Sequence, residues 1–244
     1  MFRSSAFNLA FYVWTTLLAV VGLPVLLGPR RTVARFARVW QAGIAFLLRH
    51  LAGITWETRG REHVPDALPV YAMKHQSAFE TLVLHLLIDD PAIALKRELT
   101  LIPLFGWFLI GAGMIRIDRT SRSRALRSLV AGARAALARG QPVVIFPEGT
   151  RVAPDAEKPY QPGVAALYLQ LQRPVVPVAL NSGLFWGRRS FRKRPGRIVV
   201  EFLEPIAPGL DRAAFMGLLR DRIEAATARL TEEGRRQLEH HPLG

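Results

Sequence analysis

The sequence predicts an α/β fold, in which a mostly parallel β-sheet is flanked by helices and preceded by a two-helix hairpin. Two observations support this prediction. Short apolar runs alternate with helical patterns after Gly60, and two long helical segments come before that point. We therefore divide the 244-residue chain into an N-terminal helical hairpin, residues 1–56, and an α/β domain, residues 57–244.

The first segment of the hairpin, residues 6–28, contains no charged side chain. Its length is close to the roughly 20 apolar residues that a helix needs to cross a bilayer. A cleaved signal peptide is the alternative, but no pair of small residues suited to cleavage precedes Gly28 and Pro29. Because Pro24 interrupts a straight crossing, the helix either spans a membrane or lies in its interface.

The second segment, residues 32–51, places its apolar side chains mostly on one side of a helix. Arginines at positions 30, 31, 35 and 38 accompany it, and such arginines favour the cytoplasmic side of a membrane. An apolar helix, a basic turn and an amphipathic helix are typical of a hairpin that docks on a membrane. We therefore expect membrane lipids as partners. We expect the chain at the inner (cytoplasmic) membrane, with the α/β domain on its cytoplasmic face.

The α/β region has strands and helices in alternation. The predicted strands are residues 69–72, 91–95, 114–117, 142–146, 174–180 and 197–203. The predicted helices are residues 77–88, 124–139, 164–172 and 211–230, the last capped by Asp211.

The charge of the chain implies an anionic partner. Lys and Arg outnumber Asp and Glu 33 to 19, which gives a net charge of +14. Nucleic acid, an anionic membrane and phosphorylated substrates would each suit this charge. A membrane-anchored nucleic-acid-binding protein is an alternative, but no RNA or DNA motif accompanies the arginines, so we expect no nucleic acid. The chain has no cysteine, which excludes disulfides, thiolate nucleophiles and Cys-based zinc sites.

His75 and Glu80 are the first candidates for chemistry. On one continuous helix they would lie about 140° apart and could not touch. They can meet if His75 lies at a strand exit and Glu80 in the first turn of the next helix, and the carboxylate could then hold the imidazole in its proton-accepting tautomer. The alternative is a capping box from Ser77 to Glu80, in which Glu80 only satisfies backbone donors. His85 has no such partner, and we expect it on a helix surface.

Polar residues follow two further strands. Asp118 and Arg119 end one of them, either as an ion pair or as a guanidinium for phosphate at the edge where α/β sheets bind ligands. The segment from Phe146 to Arg151 is more specific, because an apolar strand delivers a carboxylate, a glycine, a hydroxyl and an arginine within a few residues.

Taken together, these motifs resemble those of the PlsC-like glycerolipid acyltransferases, especially the bacterial 1-acyl-sn-glycerol-3-phosphate acyltransferases. The resemblance covers about residues 7–206, and the family's motifs occur in order. They are His-x4-Asp at His75–Glu80, the second motif at Gly113–Arg119, Phe-Pro-Glu-Gly-Thr-Arg at Phe146–Arg151, and Val-Pro-Val at Val176–Val178. In one departure, Glu80 stands where the family usually has Asp.

The resemblance implies transfer of a fatty acyl group to the sn-2 hydroxyl of 1-acylglycerol-3-phosphate (lysophosphatidic acid), which forms phosphatidic acid. His75 would act as general base and Glu80 would orient it. Another acceptor, such as a lyso-ornithine lipid, is an alternative. The donor would be acyl-CoA or acyl-acyl carrier protein, as a co-substrate and not a cofactor. A single His-x4-Glu offers too few ligands for zinc, so no metal is expected.

The resemblance also implies a binding site for the acceptor phosphate. Arg119 and Arg151 would hold the phosphate, and Lys96 stands where related enzymes place a phosphate-contacting lysine. Glu148, Gly149 and Thr150 would shape the same pocket. A further basic cluster, residues 188–197, could attract anionic lipid, the phosphates of acyl-CoA or acidic acyl carrier protein, or could be only a solvated loop.

Overall fold

The computed structural model describes residues 1–240, and its strands form one seven-stranded sheet. The strands are β1 (Ile54–Arg59), β2 (Val70–Met73), β3 (Ala92–Lys96), β4 (Ile115–Ile117), β5 (Val143–Ile145), β6 (Val175–Leu180) and β7 (Gly196–Phe202). Their order is β1-β7-β6-β2-β5-β3-β4. Only β6 and β7 pair antiparallel, so the prediction of a mostly parallel sheet is confirmed.

Helices cover both faces of the sheet. They are α1 (Phe2–Val21), α2 (Arg30–Leu47), α3 (Phe79–Leu82), α4 (Leu84–Leu87), α5 (Phe105–Gly111), α6 (Arg122–Ala138), α7 (Pro162–Leu171), α8 (Ser182–Phe185) and α9 (Arg212–His240). Successive side chains of a strand point to opposite faces. On β2, Tyr71 and Met73 therefore pack with α1 to α4, while Val70 and Ala72 pack with α6, α7 and α9.

The predicted N-terminal hairpin is formed by α1 and α2. Trp14 Nε1 donates to the carbonyl of Trp40 at 3.0 Å, and Trp40 Nε1 donates to Thr15 Oγ1 at 3.1 Å. Arg30 of α2 makes a bidentate ion pair with Asp90 at 2.6 and 2.7 Å, which attaches the hairpin to the α/β domain. Helix α1 is long and apolar enough to cross a membrane. Only 11% of its apolar 18-residue stretch is buried, as suits a membrane-associated chain.

The predicted helix over residues 77–88 is wrong, because the structure has two single turns, α3 and α4, separated at Val83. The side chain of Gln41 from α2 inserts between these turns. Its Oε1 accepts the backbone N–H of His85 at 2.7 Å, and its Nε2 lies 3.4 Å from the carbonyl of Thr81. These backbone groups would bond to each other in a continuous helix, so Gln41 replaces that bond. His85 is only 5% exposed, so its expected place on a helix surface is also wrong.

Other boundaries differ in detail. Strand β1 was not predicted, and it crosses the boundary at residue 57, although the two-part division itself stays a prediction. Helix α9 continues to His240, beyond the predicted end at residue 230. Asp211 caps α9 as expected, since its Oδ1 accepts the N–H groups of Ala213 and Ala214 at 2.7 and 2.9 Å.

Candidate active site

The predicted site residues lie at one edge of the sheet, where its parallel strands end. His75 follows β2, and the Glu148–Arg151 segment follows the neighbouring strand β5. Lys96 is the last residue of β3, and Arg119 follows β4. The carboxyl ends of parallel neighbours meet at the same edge, so the fold brings together motifs that are far apart in sequence.

His75 and Glu80 are in hydrogen-bond contact, with 2.9 Å between His75 Nδ1 and Glu80 Oε1. The two side chains meet across the turn between β2 and α3 and not along one helix. Because an ionised carboxylate can only accept, the imidazole proton lies on Nδ1. The other ring nitrogen, Nε2, is then free to accept a proton. The side chain of His75 is 14% exposed and borders a cavity, so this nitrogen is open to a substrate.

Glu80 is fully buried, and donors satisfy both of its oxygens. Oε1 also accepts the backbone N–H groups of Gln76 and Ser77, each at 2.7 Å. Oε2 accepts the hydroxyl of Ser182, from the start of α8, at 2.9 Å. Hydrogen bonds to the charged form offset the cost of burying a carboxylate. The capping contacts and the contact with His75 therefore coexist in one side chain.

The imidazole of His75 also packs on the Phe-Pro-Glu-Gly-Thr-Arg motif. The rings of His75 and Phe146 are stacked, with centroids 4.0 Å apart and planes at 21°. The carbonyl of His75 accepts the N–H of Val152 at 2.8 Å. The two ends of the segment from Phe146 to Val152 are thus attached to the same histidine.

Gly149 provides the turn in the middle of that segment. Its φ of +68° lies in the left-handed region, and its N–H donates to the carbonyl of Phe146 at 3.0 Å. An added Cβ would lie 3.1 Å from Cγ of Gln161. The left-handed conformation therefore favours glycine here, and the nearby Gln161 side chain leaves little space for a larger residue.

Glu148 was expected to shape the phosphate pocket, and it borders the cavity, but its charged partner is a residue that sequence reasoning missed. The carboxylate is fully buried, and its Oε1 lies 3.2 Å from Nζ of Lys74. Burial raises the pKa of Glu148, while the nearby ammonium of Lys74 opposes that rise. Neither oxygen of Glu148 accepts a hydrogen bond from the described part of the chain. A lysine directly before His75 at the end of an apolar strand was the available signal.

One cavity of about 970 Å³ is bordered by every predicted site residue except Glu80. Its cationic side chains are Lys96, Arg119, Arg122, Arg151 and Lys158, of which sequence reasoning missed Arg122 and Lys158. Within residues 1–240, the side chains of Lys96, Arg119 and Arg151 form no hydrogen bond or ion pair, which leaves them free to bind an anion. The alternative ion pair of Asp118 with Arg119 is not formed within residues 1–240, where Asp118 Oδ1 instead accepts the N–H of Thr120 at 3.0 Å.

The rest of the cavity wall is apolar and comes from the hairpin as well as from the α/β domain. The apolar lining includes Leu18, Phe36, Trp40, Leu95, Phe105, Phe108, Leu109, Ile117 and Leu126. One cavity thus joins a cationic region beside His75 to an apolar region that reaches the hairpin. This combination suits a ligand with both a phosphate and an alkyl chain.

Comparisons with known proteins identify the family to which the chain is similar. Residues 55–181 match the sequence model of the family described as Acyltransferase. The chain is 37% identical to 1-acyl-sn-glycerol-3-phosphate acyltransferase of Pseudomonas aeruginosa over 78% of its own length and 73% of the relative's. It is 32% identical to the alpha form of the same enzyme from Mus musculus, over 82% and 72% of the two chains.

A solved structure shares the fold. The crystal structure of the 1-acyl-sn-glycerophosphate (LPA) acyltransferase PlsC from Thermotoga maritima aligns with a TM-score of 0.76 and 20% identity. The alignment covers 93% of this chain and 96% of that one, so the hairpin and the sheet both belong to the shared architecture.

Proposed function

The chain belongs to the acyltransferase family, and we propose that it transfers a fatty acyl group to the sn-2 hydroxyl of 1-acylglycerol-3-phosphate, giving phosphatidic acid. The observation that carries this proposal is the contact of His75 with buried Glu80 beside a cavity that has unpaired cations at one end and apolar walls at the other. The printed names of the Pseudomonas and mouse relatives support the same acceptor.

In the proposed reaction, His75 Nε2 takes the proton of the acceptor hydroxyl while the hydroxyl oxygen attacks the thioester carbonyl carbon. A C–O bond forms, the C–S bond breaks, and the leaving thiolate takes the proton back from the imidazolium. Glu80 keeps Nδ1 protonated and stabilises the imidazolium that forms between these steps. No acyl-enzyme is needed, and the chain offers no cysteine to form one.

The cations of the cavity would bind the acceptor phosphate. Arg119 and Arg151 can each make charge-assisted hydrogen bonds to phosphate oxygens, and Lys96 can add a point charge. This positioning would hold the sn-2 hydroxyl near His75, which converts a bimolecular encounter into a local one.

The apolar part of the cavity would hold an acyl chain. Burying a chain is worth about 0.8 kcal/mol per methylene, so a long-chain acceptor remains in the bilayer and the enzyme must work there. Leu18, Phe36 and Trp40 belong to the hairpin and also line the cavity, which supports entry of lipid at the membrane surface. The arginines of α2 support a location on the cytoplasmic face of the inner membrane.

The donor would be acyl-CoA or acyl-acyl carrier protein, with no separate cofactor. Both donors are anionic, and the exposed arginines at positions 188, 189, 192 and 194 suit either one electrostatically.

The proposal is tested with purified protein, a panel of lyso-acceptors and both donor types, with products identified by mass spectrometry. We expect phosphatidic acid from lysophosphatidate, and no product from the His75→Ala variant. Faster acylation of a lyso-ornithine lipid than of lysophosphatidate would replace the proposed acceptor. No acylation of any lyso-lipid would contradict the proposed reaction.

A further inference from the structure

A buried ionic cluster lies directly behind the proposed general base. Lys74 precedes His75, and its side chain is 1% exposed. Its Nζ donates to both carboxylate oxygens of Glu224 at 2.7 Å and lies 3.2 Å from Glu148 Oε1. The hydroxyl of Tyr160 donates to Glu224 Oε1 at 2.8 Å.

Each member of this cluster comes from a different part of the fold. Lys74 ends the β2 region, Glu148 belongs to the turn after β5, Tyr160 lies shortly before α7, and Glu224 is on α9. A buried ion pair adds little net stability, because removing both charges from water costs about as much as their attraction returns. The benefit we infer for this cluster is therefore geometric.

We infer that Lys74 is a positioning residue that fixes the Glu148–Arg151 segment relative to His75, and that Glu224 and Tyr160 hold Lys74 in place. This inference rests on the proposed function, which assigns that segment to the acceptor phosphate. His75 holds the two ends of the segment through the ring of Phe146 and the N–H of Val152. Lys74 holds its middle, through Glu148.

Loss of Lys74 would leave Glu148 without its counter-charge. Apart from its ion pair with Lys74, the Glu148 carboxylate has no hydrogen-bond partner within residues 1–240, and Glu148 borders the cavity. The carboxylate would then be free to turn toward the cavity cations and compete with the acceptor phosphate. Arg151, three residues further along the same segment, would also lose its fixed position.

The experiment compares Lys74→Met and Glu224→Gln with Glu233→Gln as a matched control. Glu233 also lies on α9 and also pairs with a sheet residue, Arg59 of β1, at 2.8 Å. A role confined to anchoring α9 would give Glu224→Gln and Glu233→Gln the same phenotype. Lys74→Met carries the greater risk of misfolding, so Glu224→Gln, whose side chain is 31% exposed, keeps the test available.

We expect Lys74→Met to raise the KM for lysophosphatidate roughly three- to thirtyfold, with kcat and the donor KM nearly unchanged. Glu224→Gln should give a smaller change in the same direction, and Glu233→Gln no change. If Lys74 acts through Glu148, Lys74→Met combined with Glu148→Gln should be no worse than Glu148→Gln alone. Additive losses in that double variant would overturn the inference.

Hydrogen exchange gives a readout that does not depend on the acceptor. The amides of Gly149 and Val152 are hydrogen-bonded within the motif segment, and they should exchange faster in Lys74→Met and Glu224→Gln than in Glu233→Gln. Unchanged exchange, or equal changes in all three variants, would overturn the positioning role. If the wild-type protein is inactive on lysophosphatidate but exchange changes as expected, the proposed function fails while the positioning role stands.

Discussion

Ser182 donates its hydroxyl to Glu80 Oε2 at 2.9 Å, although the two residues are 102 positions apart in the sequence. This bond fixes the carboxylate oxygen that does not face His75. Glu80 stands where the family usually has the shorter Asp, yet its Oε1 reaches His75 Nδ1 at 2.9 Å. The longer side chain therefore keeps the contact with the histidine, while its second oxygen is bound by Ser182 at the start of α8.

Glu80→Gln separates the structural role of Glu80 from the proposed chemical role. A glutamine can keep the backbone contacts of Gln76 and Ser77, so we expect almost no loss of thermal stability. It cannot supply the negative charge that stabilises an imidazolium, so kcat should fall by roughly 10²- to 10⁴-fold. The measurement is kcat together with Tm. Full activity would leave Glu80 with a capping role alone.

His75→Ala should abolish acyl transfer while the protein still folds and partitions to membranes. The reason is that His75 would be the proton acceptor for the attacking hydroxyl. His63→Ala is the control, because His63 contacts the carbonyl of Phe202 at 3.0 Å and does not border the cavity. Turnover, circular dichroism and vesicle sedimentation are measured for both variants. Near-normal turnover in His75→Ala would remove the general-base assignment.

The positions of the site residues could be predicted from the sequence because each motif is local and follows an apolar strand. His75, Arg119 and the Phe146–Arg151 segment needed only the rule that parallel strands present their carboxyl ends at one edge. Ser182 and Glu224 could not be predicted as partners of Glu80 and Lys74. Their contacts depend on strand order and on the docking of α9, which no local pattern records.

The wrong prediction of one helix over residues 77–88 also comes from a contact between distant parts of the chain. Residues 77–88 carry a helical pattern, but Gln41, 44 residues before His85, takes over a backbone bond of that helix. A tertiary contact of this kind overrides local propensity. Strand β1 was missed because only Ile54 and Trp56 of its six residues are apolar, and its partner β7 lies far away in the chain.

Buried His85 should make folding stability sensitive to mild acid. Burial lowers the pKa of His85 to about 4, from 6.5 for an unperturbed histidine. As the pH falls below 6.5, the unfolded chain takes up the proton before the folded one. Stability is therefore complete above pH 6.5 and is lost as the pH falls toward 4. At pH 5 the loss from this group is about 2 kcal/mol.

The check is the free energy of unfolding of wild type and His85→Gln at pH 7 and pH 5. Glutamine does not titrate, so the variant should lose less stability than the wild type between these values. The control is His50→Gln, which makes the same change of side chain at an exposed histidine. An identical pH dependence in wild type and His85→Gln would show that His85 is not the titrating group.

The last prediction is that Arg119→Ala and Arg151→Ala chiefly damage use of the acceptor. A charge-assisted hydrogen bond to phosphate is worth roughly 1.5–3 kcal/mol, so each loss should raise the KM for lysophosphatidate about ten- to a hundredfold. The donor KM should stay nearly constant. Lys variants should rescue only partly, because an ammonium lacks the planar fork of arginine.

Arg116 is the position of the matched control, Arg116→Ala, because its side chain is exposed on β4, the strand that Arg119 follows, but does not border the cavity. This variant should leave both KM values unchanged, which separates a specific phosphate contact from the general attraction of a basic protein for anionic lipid. The contrary pattern would be weaker donor binding with normal acceptor affinity in Arg119→Ala and Arg151→Ala. That result would assign the two guanidinium groups to the donor's phosphates, and the acceptor would then have to be held by Lys96 or by contacts with its acyl chain.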